Sequence, residues 1–541
     1  IHQRFDLTEE KRYSLSKETK TLLSGLRQPI KIEVFLKGDY PAGFRKLANS
    51  VNDFLQECKE YGKGNLQFVF TDPLKGLNDS AAQYFMDSIN YFYEIPAFML
   101  QAPSKVGDEQ TQKMVIPGAI IHYAGTSIGV NLLRGEKSFG TEPEQLAALY
   151  NNVEASMEYK FASAIQKITL KEKPRVGYAL GNGEGWGYNV DDAIRTLFKN
   201  YQLDTVNVKS APLIPQFDAL VVLKPTIPFT DADKIKIDQY VMHGGKVFWM
   251  IDNMYAEFDS LYKSQGFVAF DRALNLEDIL FNYGVRMNQS LLQDMQADQL
   301  PQISTNGSNQ TRFVDWPFFP VLNGTNHPIS KNLDGVRLIF PTTIDTVEAN
   351  GIKKTFLLES SSNARVLDAP AKIDFEFLQI APDIKQFQKK NVPVSVLLEG
   401  DFNSLYAGRI SKAIKDSMSA TGYSFLNNSE NNKMILVADG DLAMNPYSPK
   451  TGPLQMGTNV FTHYTYANKE FFLNCLDYLV NPTDILKTRA KQFTLRLLDP
   501  KKAGEEKSQW QLINIVLPII LIIIFGVIYQ QFRRYRFTGK A

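Results

Sequence analysis

The 541-residue chain has room for about three or four domains at roughly 150 residues each. Its 44% hydrophobic and 22% charged content is that of a globular protein rather than a disordered one. A net charge of +1, from 59 basic and 58 acidic residues, offers no general attraction to nucleic acid, and two cysteines are too few for a disulfide framework.

Residues 1–25 form a charged, Ser- and Thr-rich opening that begins at Ile1 rather than Met, so a signal peptide or transmembrane helix is expected upstream. Between 26 and 140 the pattern alternates strand and helix. "PIKIEVFLKG" (29–38) reads as a strand, "FRKLANSVNDFLQECKEYG" as a helix and "NLQFVFTDP" (65–73) as a strand. Phe44, Leu47, Ala48, Val51, Phe54, Leu55 and Cys58 share one face of that helix, which makes Cys58 a packing residue. A helix follows at 80–89, then "IPAFMLQ" (95–101), then a hairpin from runs at 114–123 and 127–133. A helix over 141–170, within a connector at 141–171, completes the order of a thioredoxin-like fold without redox cysteines, with Pro96 at its cis-proline position.

A second domain, 172–480, opens with strand and glycine loop in "PRVGYALGNGEGWG" (174–187). Helix at 190–200, strands "YQLDTVNVK" and "FDALVVLKP", helix "FTDADKIKIDQYVMHGG" and strand "KVFWMID" (246–252) then alternate. That alternation argues a parallel, flavodoxin- or Rossmann-like sheet with helices on both faces. Thr230 and Asp233 make a capping-box start to the last helix, and Gly244 and Gly245 its stop. From about 285 to 430 short strands with Pro, Gly and Asn punctuation predict a β-rich insertion. "NKMILVADGDLAMN" (432–445) and the helix 467–480, which carries Cys475, return to the parallel domain.

A stalk at 481–508 leads to a transmembrane helix at 509–530. Trp510 to Tyr529 is twenty residues without a charge, about 30 Å of helix, with aromatic rings at both ends and Pro518 and Gly526 inside. The tail at 531–541 carries Arg533, Arg534, Arg536 and Lys540, which places it in the cytoplasm by the positive-inside rule.

Chemistry-bearing motifs are few. Gly181 and Gly183 begin a dinucleotide fingerprint, but Trp186 stands where the third glycine belongs, although Asp204 falls near the expected acidic position. "GEKS" (135–138) lacks the loop that wraps phosphates, and the five histidines are scattered. His243 is explained by its place at a helix C-terminus. One constellation remains. Glu184, Asp252, Asp439 and Asp441 all follow strands and are expected to gather at the carboxyl edge of the parallel sheet, where carboxylates can hold a divalent cation or cap helices and turns.

The opening "FDLTEEKRYSLSKETKTLLSGLRQPIKIEVFLKGDYPAGFRKL" (5–47) resembles the start of gliding-motility-associated ABC transporter proteins of the GldG type. "LQFVFTDP", "GNGE", "VADGDLAMN", "NKEFFLNCLDYLV" and "KQFTLRLLDPKK" extend the resemblance in order along nearly the whole chain. It implies a membrane-anchored auxiliary subunit with a large periplasmic part, beside a polytopic permease (GldF type) and a cytoplasmic ATPase (GldA type), associated with gliding and type 9 secretion. The same resemblance makes the central domain similar to class I glutamine amidotransferases and to the N-terminal domain of an intraflagellar-transport protein. Amidotransfer needs an activated cysteine on the turn after a strand, and neither Cys58 nor Cys475 is so placed. A non-enzymatic subunit without a cofactor is therefore expected, the alternative being an extracytoplasmic solute- or glycan-binding receptor using the sheet edge or the aromatic "WPFFP" (316–320).

Overall fold

The computed structural model describes residues 14–38, 40, 42–103, 110–133, 143–264, 266–303, 311–420, 422–481, 484–490 and 507–538. The motif at 5–13, the "GEKS" segment, most of the stalk and Lys540 lie outside them. The chain divides into two units, residues 1–492 and 493–541.

The first unit contains two separate large apolar cores. In the N-terminal lobe, strands Ile30–Val34 and Leu66–Phe70 pair in parallel, joined by the helix Ala42–Tyr61. Phe44, Leu47, Val51, Leu55 and Cys58 of that helix are buried, as its apolar spacing predicts. Gly118–Tyr123 joins the other side of Ile30–Val34 in antiparallel fashion and continues through a two-residue turn into Thr126–Asn131. The sheet order is therefore second, first, third, fourth. The strand expected to open on Pro96 is displaced from this sheet. Among the described residues Phe98–Pro103 pairs with Gln110–Val115 alone, as a separate hairpin. Among the described residues the cis bond lies at Ala369–Pro370 and not before Pro96.

The helix after the first parallel pair runs from Asp79 to Tyr93, longer than its sequence pattern indicates. Asn78 caps its start by accepting from Ala81 N, and Glu94 ends it in a left-handed conformation at φ 56°. The connector is the helix Pro143–Thr169, whose Val153, Met157, Phe161 and Ile165 face the N-terminal core. Its far end meets the second lobe: Lys167 pairs with Asp477 at 2.9 Å, and Tyr159 donates to Asn474 at 2.9 Å.

The second lobe is built on a ten-stranded sheet. Gln202–Asn207, Arg175–Leu180, Ala219–Leu223, Val247–Met250 and Asn432–Val437 lie side by side in that order, all parallel. "ALVVL" and "VFWM" are buried at every position, because helices cover both faces of a parallel sheet. Thr230 and Asp233 complete a full capping box at the helix Asp231–Met242. The helix Asn468–Val480 is enclosed on nearly all sides.

The β-rich region extends this same sheet. Pro393–Gly400, Ile352–Glu359, Thr311–Gly324 and Ala297–Ile303 continue it in antiparallel fashion beyond Asn432–Val437. A small sheet of Met254–Tyr255, Gly266–Asp271 and Ala371–Asp374 roofs an aromatic core of Trp316, Phe318, Phe319 and Phe340. The second unit contains the helix Lys507–Thr538. Trp510–Arg536 within it is long and apolar enough to cross a membrane.

Candidate functional site

Three adjacent parallel strands deliver side chains to one point on the carboxyl edge of the sheet. Ala219–Leu223 is followed immediately by Lys224, Val247–Met250 by Ile251 and Asp252, and Asn432–Val437 by Ala438, Asp439, Gly440 and Asp441. Hydrogen bonds from Lys224 N to Met250 O and from Ile251 N to Val437 O carry the strand register to the ends, so the chain exits at fixed relative heights. Lys224 has φ +46°, an uncommon left-handed conformation for a residue with a Cβ.

The Lys224 ammonium lies 2.6 Å from Asp441 Oδ1, 3.1 Å from Glu257 Oε2 and 3.3 Å from Asp252 Oδ2. Arg272 supplies a second cation, 2.5 Å from Glu257 Oε1 and 3.9 Å from Asp252 Oδ2. Asp439 is fully buried and its two oxygens are already engaged, accepting from Ile339 N and Asp441 N at 2.6 Å each. Gly440 N donates to Asp252 Oδ1 at 2.5 Å. A Cβ at Gly440 would sit 2.7 Å from Lys224 Cγ, so close packing against the lysine stem requires glycine there.

Burial raises the Asp439 carboxyl well above the usual range, reinforced by Asp252 and Asp441. Asp441 is raised to about 6 by burial, with Lys224 opposing. For Lys224 burial works against the charge, yet Asp441, Asp252 and Glu257 outweigh it and hold the ammonium well above its ordinary value. Glu257 moves down, because Lys224 and Arg272 outweigh its desolvation.

Carboxylate oxygens of Asp252, Asp439 and Asp441 lie within 4.8 Å of one another, a spacing that could suit a divalent cation. Lys224 decides against that use: three carboxylates already direct oxygens at its ammonium. The arrangement is a closed ion cluster with its own internal cation, joining three strand ends to the Met254–Asp271 hairpin region.

Glu184 does not join it. Its loop follows Arg175–Leu180, which is separated from the Asp252 strand by Ala219–Leu223, and its carboxylate turns back to accept from Asn182 N at 2.7 Å. Burial raises its pKa. The glycine loop keeps Trp186 half exposed beside Tyr178, and Asp204 pairs with Arg175 at 3.0 Å on the surface. "WPFFP" forms a core rather than a binding surface: Trp316, Phe318 and Phe319 are buried, with the Trp316 and Phe319 rings 4.7 Å apart. Both cysteines are buried, and burial pushes both thiols up, away from the reactive thiolate. In the second unit Trp510 and Tyr529 are exposed at the two ends of the apolar run, Pro518 lies within the helix, and Gly526 has open space around it. Arg533, Arg534 and Arg536 continue the same helix.

Sequence reasoning brought Asp252, Asp439 and Asp441 together but missed Lys224, Glu257 and Arg272. A signal for Lys224 was present, since a charge directly after five apolar strand residues must find partners at the sheet edge. Glu257 and Arg272 lie in the loops just after two strands of the small roofing sheet, which no periodicity announced.

Residues 173–475, more than half of the chain, match the family described as an ABC-type uncharacterized transport system, and residues 9–122 match a domain of unknown function (DUF7088). An uncharacterized protein of Borreliella burgdorferi is 19% identical over 567 residues, covering 99% of this chain and 93% of its own length. Among solved structures, the mmIFT52 N-terminal domain aligns at 13% identity and a TM-score of 0.32, over 57% of this chain and 97% of its own. A ThuA-like protein from Parabacteroides merdae aligns at 12% identity and a TM-score of 0.25, over 57% of this chain and 91% of its own. Likenesses at those TM-scores are too slight to assign a fold. The match over the sheet that carries the ion cluster does make an assignment: the chain belongs to the ABC-type uncharacterized transport system family.

Proposed function

We propose that this chain is a non-enzymatic, membrane-anchored auxiliary subunit of an ABC-type transport complex, held beside a permease whose partner ATPase supplies the energy. Family membership carries the reading, and the apolar helix Trp510–Arg536 fits a membrane anchor. Support for an enzymatically empty module comes from two features. The acidic cluster is closed by Lys224, and Cys58 and Cys475 are buried with their thiols pushed up, away from the reactive thiolate.

In the finer reading, residues 1–508 lie in the periplasm of a bacterial inner membrane, the tail is cytoplasmic, and the partners are of the GldF and GldA types, serving gliding motility and type 9 secretion. Arg533, Arg534 and Arg536 after the span, in a helix with no acid from Lys507 to Thr538, support that orientation. The N-terminal lobe reads as a thioredoxin-like scaffold, supported by its second-first-third-fourth strand order. The parallel half of the large sheet reads as flavodoxin- and amidotransferase-like, supported by the order second, first, third, fourth, fifth. Deletion of the chain from its native host tests the output. The reading expects surface movement and type 9 secretion to stop together, and unimpaired movement would remove gliding from it.

A further inference from the structure

A cleft of about 790 Å³ opens beside the ion cluster, on the other side of the chain from Asp252, lined by Ile251 and Asn253. That volume lies within the range of small-molecule sites, roughly 300–1,000 Å³. Its apolar wall includes Leu276, Leu280, Phe281, Met287 and Leu405. Phe281, 55% exposed, presents its ring at the mouth of the cleft.

The polar groups in the wall divide into committed and free ones. Arg286 is committed to Asp345 at 2.6 Å, and Asp278 to Lys234 at 2.8 Å. Arg409 and Glu277 are exposed, and neither meets an opposite charge among the described residues. Asn253, only 5% exposed, donates its amide to Asn288 O at 3.3 Å, and no donor to its amide oxygen is found among the described residues. One cleft thus presents an exposed cation, an exposed anion, an acceptor on a buried side chain, and an apolar wall.

A ligand matching this set carries a carboxylate, an ammonium, an N–H and apolar side chains. We propose that the cleft binds a short apolar peptide in its zwitterionic form, with Arg409 taking the terminal carboxylate, Glu277 the terminal ammonium and the Asn253 amide oxygen a peptide N–H. A metal does not match it, because Glu277 is its free carboxylate and the adjacent Asp278 is neutralised by Lys234. A purely anionic ligand leaves Glu277 facing like charge. The assignment goes beyond the subunit reading and does not rest on it.

The test is calorimetric titration of the full chain, reconstituted in lipid nanodiscs, with trileucine, N-acetyl-trileucine and trileucine amide. Saturable binding of trileucine is expected, weakened about tenfold or more when either terminus is capped, since each cap removes one charge-assisted contact. Glu277→Gln should bind the free and acetylated peptides equally, and Arg409→Gln the free and amidated ones equally. Both side chains are exposed, so the variants should melt with the wild type. No saturable trileucine binding at millimolar concentration, or capping penalties that persist in both variants, would overturn the assignment.

Discussion

The Lys224 ammonium stands 2.6 Å from Asp441 Oδ1, across the intervening strand Val247–Met250, and ties the third parallel strand to the fifth. A buried pair of this kind is a weak source of net stability when intact and a costly one when broken, because removing one partner strands the other charge. Lys224→Met strands Asp441 and leaves Asp252 and Glu257 to Arg272 alone among the described residues. It should destabilise the chain by about 3–5 kcal/mol in urea unfolding. The same variant opens the centre to a divalent cation, so millimolar Ca²⁺ should raise the melting temperature of Lys224→Met and leave the wild type unmoved. A wild-type response equal to that of the variant would show that Lys224 does not close the cluster.

The cluster also sets a pH dependence. The Asp441 carboxyl is raised from its ordinary 3.8 to about 6, so the folded chain holds a proton that the unfolded chain has released. Stability from this group is fully present below pH about 3.8 and is lost as pH rises through about 6, up to about 3 kcal/mol in all. Lys224, Asp252, Glu257, Asp439 and Arg272 are the charged and titratable groups gathered around it. Asp441→Asn should flatten the fall in unfolding free energy between pH 4 and 6, measured by urea titration at several pH values. An unchanged slope would place the proton elsewhere.

The two lobes of the first unit are joined by interactions of unequal worth. Asp477, nearly buried in the helix Asn468–Val480, accepts from Tyr201 Oη at 2.7 Å and pairs with Lys167 of the connector at 2.9 Å. Asp477→Ala strands both and should cost about 2–4 kcal/mol. Glu94, which lies 3.2 Å from Lys199 and 3.5 Å from Lys469, is partly exposed. Glu94→Gln should cost under about 1 kcal/mol by the same urea measurement.

Gly526 sits in the apolar helix with no described residue within 4 Å of where a Cβ would stand, a small residue of the kind that lets transmembrane helices approach closely. Gly526→Leu should reduce recovery of the permease with the tagged subunit severalfold, while the subunit itself still inserts in the membrane. Equal recovery would make the helix a tether without a packing role.

Local periodicity made much of this fold legible. The one-sided face from Phe44 to Cys58, the capping box at Thr230 and the all-apolar "ALVVL" each specify one element with little help from elsewhere. What stayed hidden was non-local. Nothing in "IPAFMLQ" says that its strand pairs with Gln110–Val115 instead of entering the sheet, since a short apolar run serves equally well in either place. The β-rich stretch gave its strands away by their length, but not that Pro393–Gly400 would add to Asn432–Val437 and prolong the parallel sheet. At the site, the acids after strands pointed to the carboxyl edge. Their meaning depended on Lys224, whose ammonium engages two of the candidate ligands, Asp252 and Asp441, together with Glu257 in a closed ion cluster.

The central claim is that the chain works as a subunit. Purification of the full-length protein in mild detergent from its native membrane, with mass spectrometry of what accompanies it, tests that claim most directly. A polytopic permease and a Walker-motif ATPase in fixed proportion are the predicted companions. Recovery of the chain alone, from a preparation in which other membrane complexes survive, would contradict the subunit reading and favour a free-standing receptor.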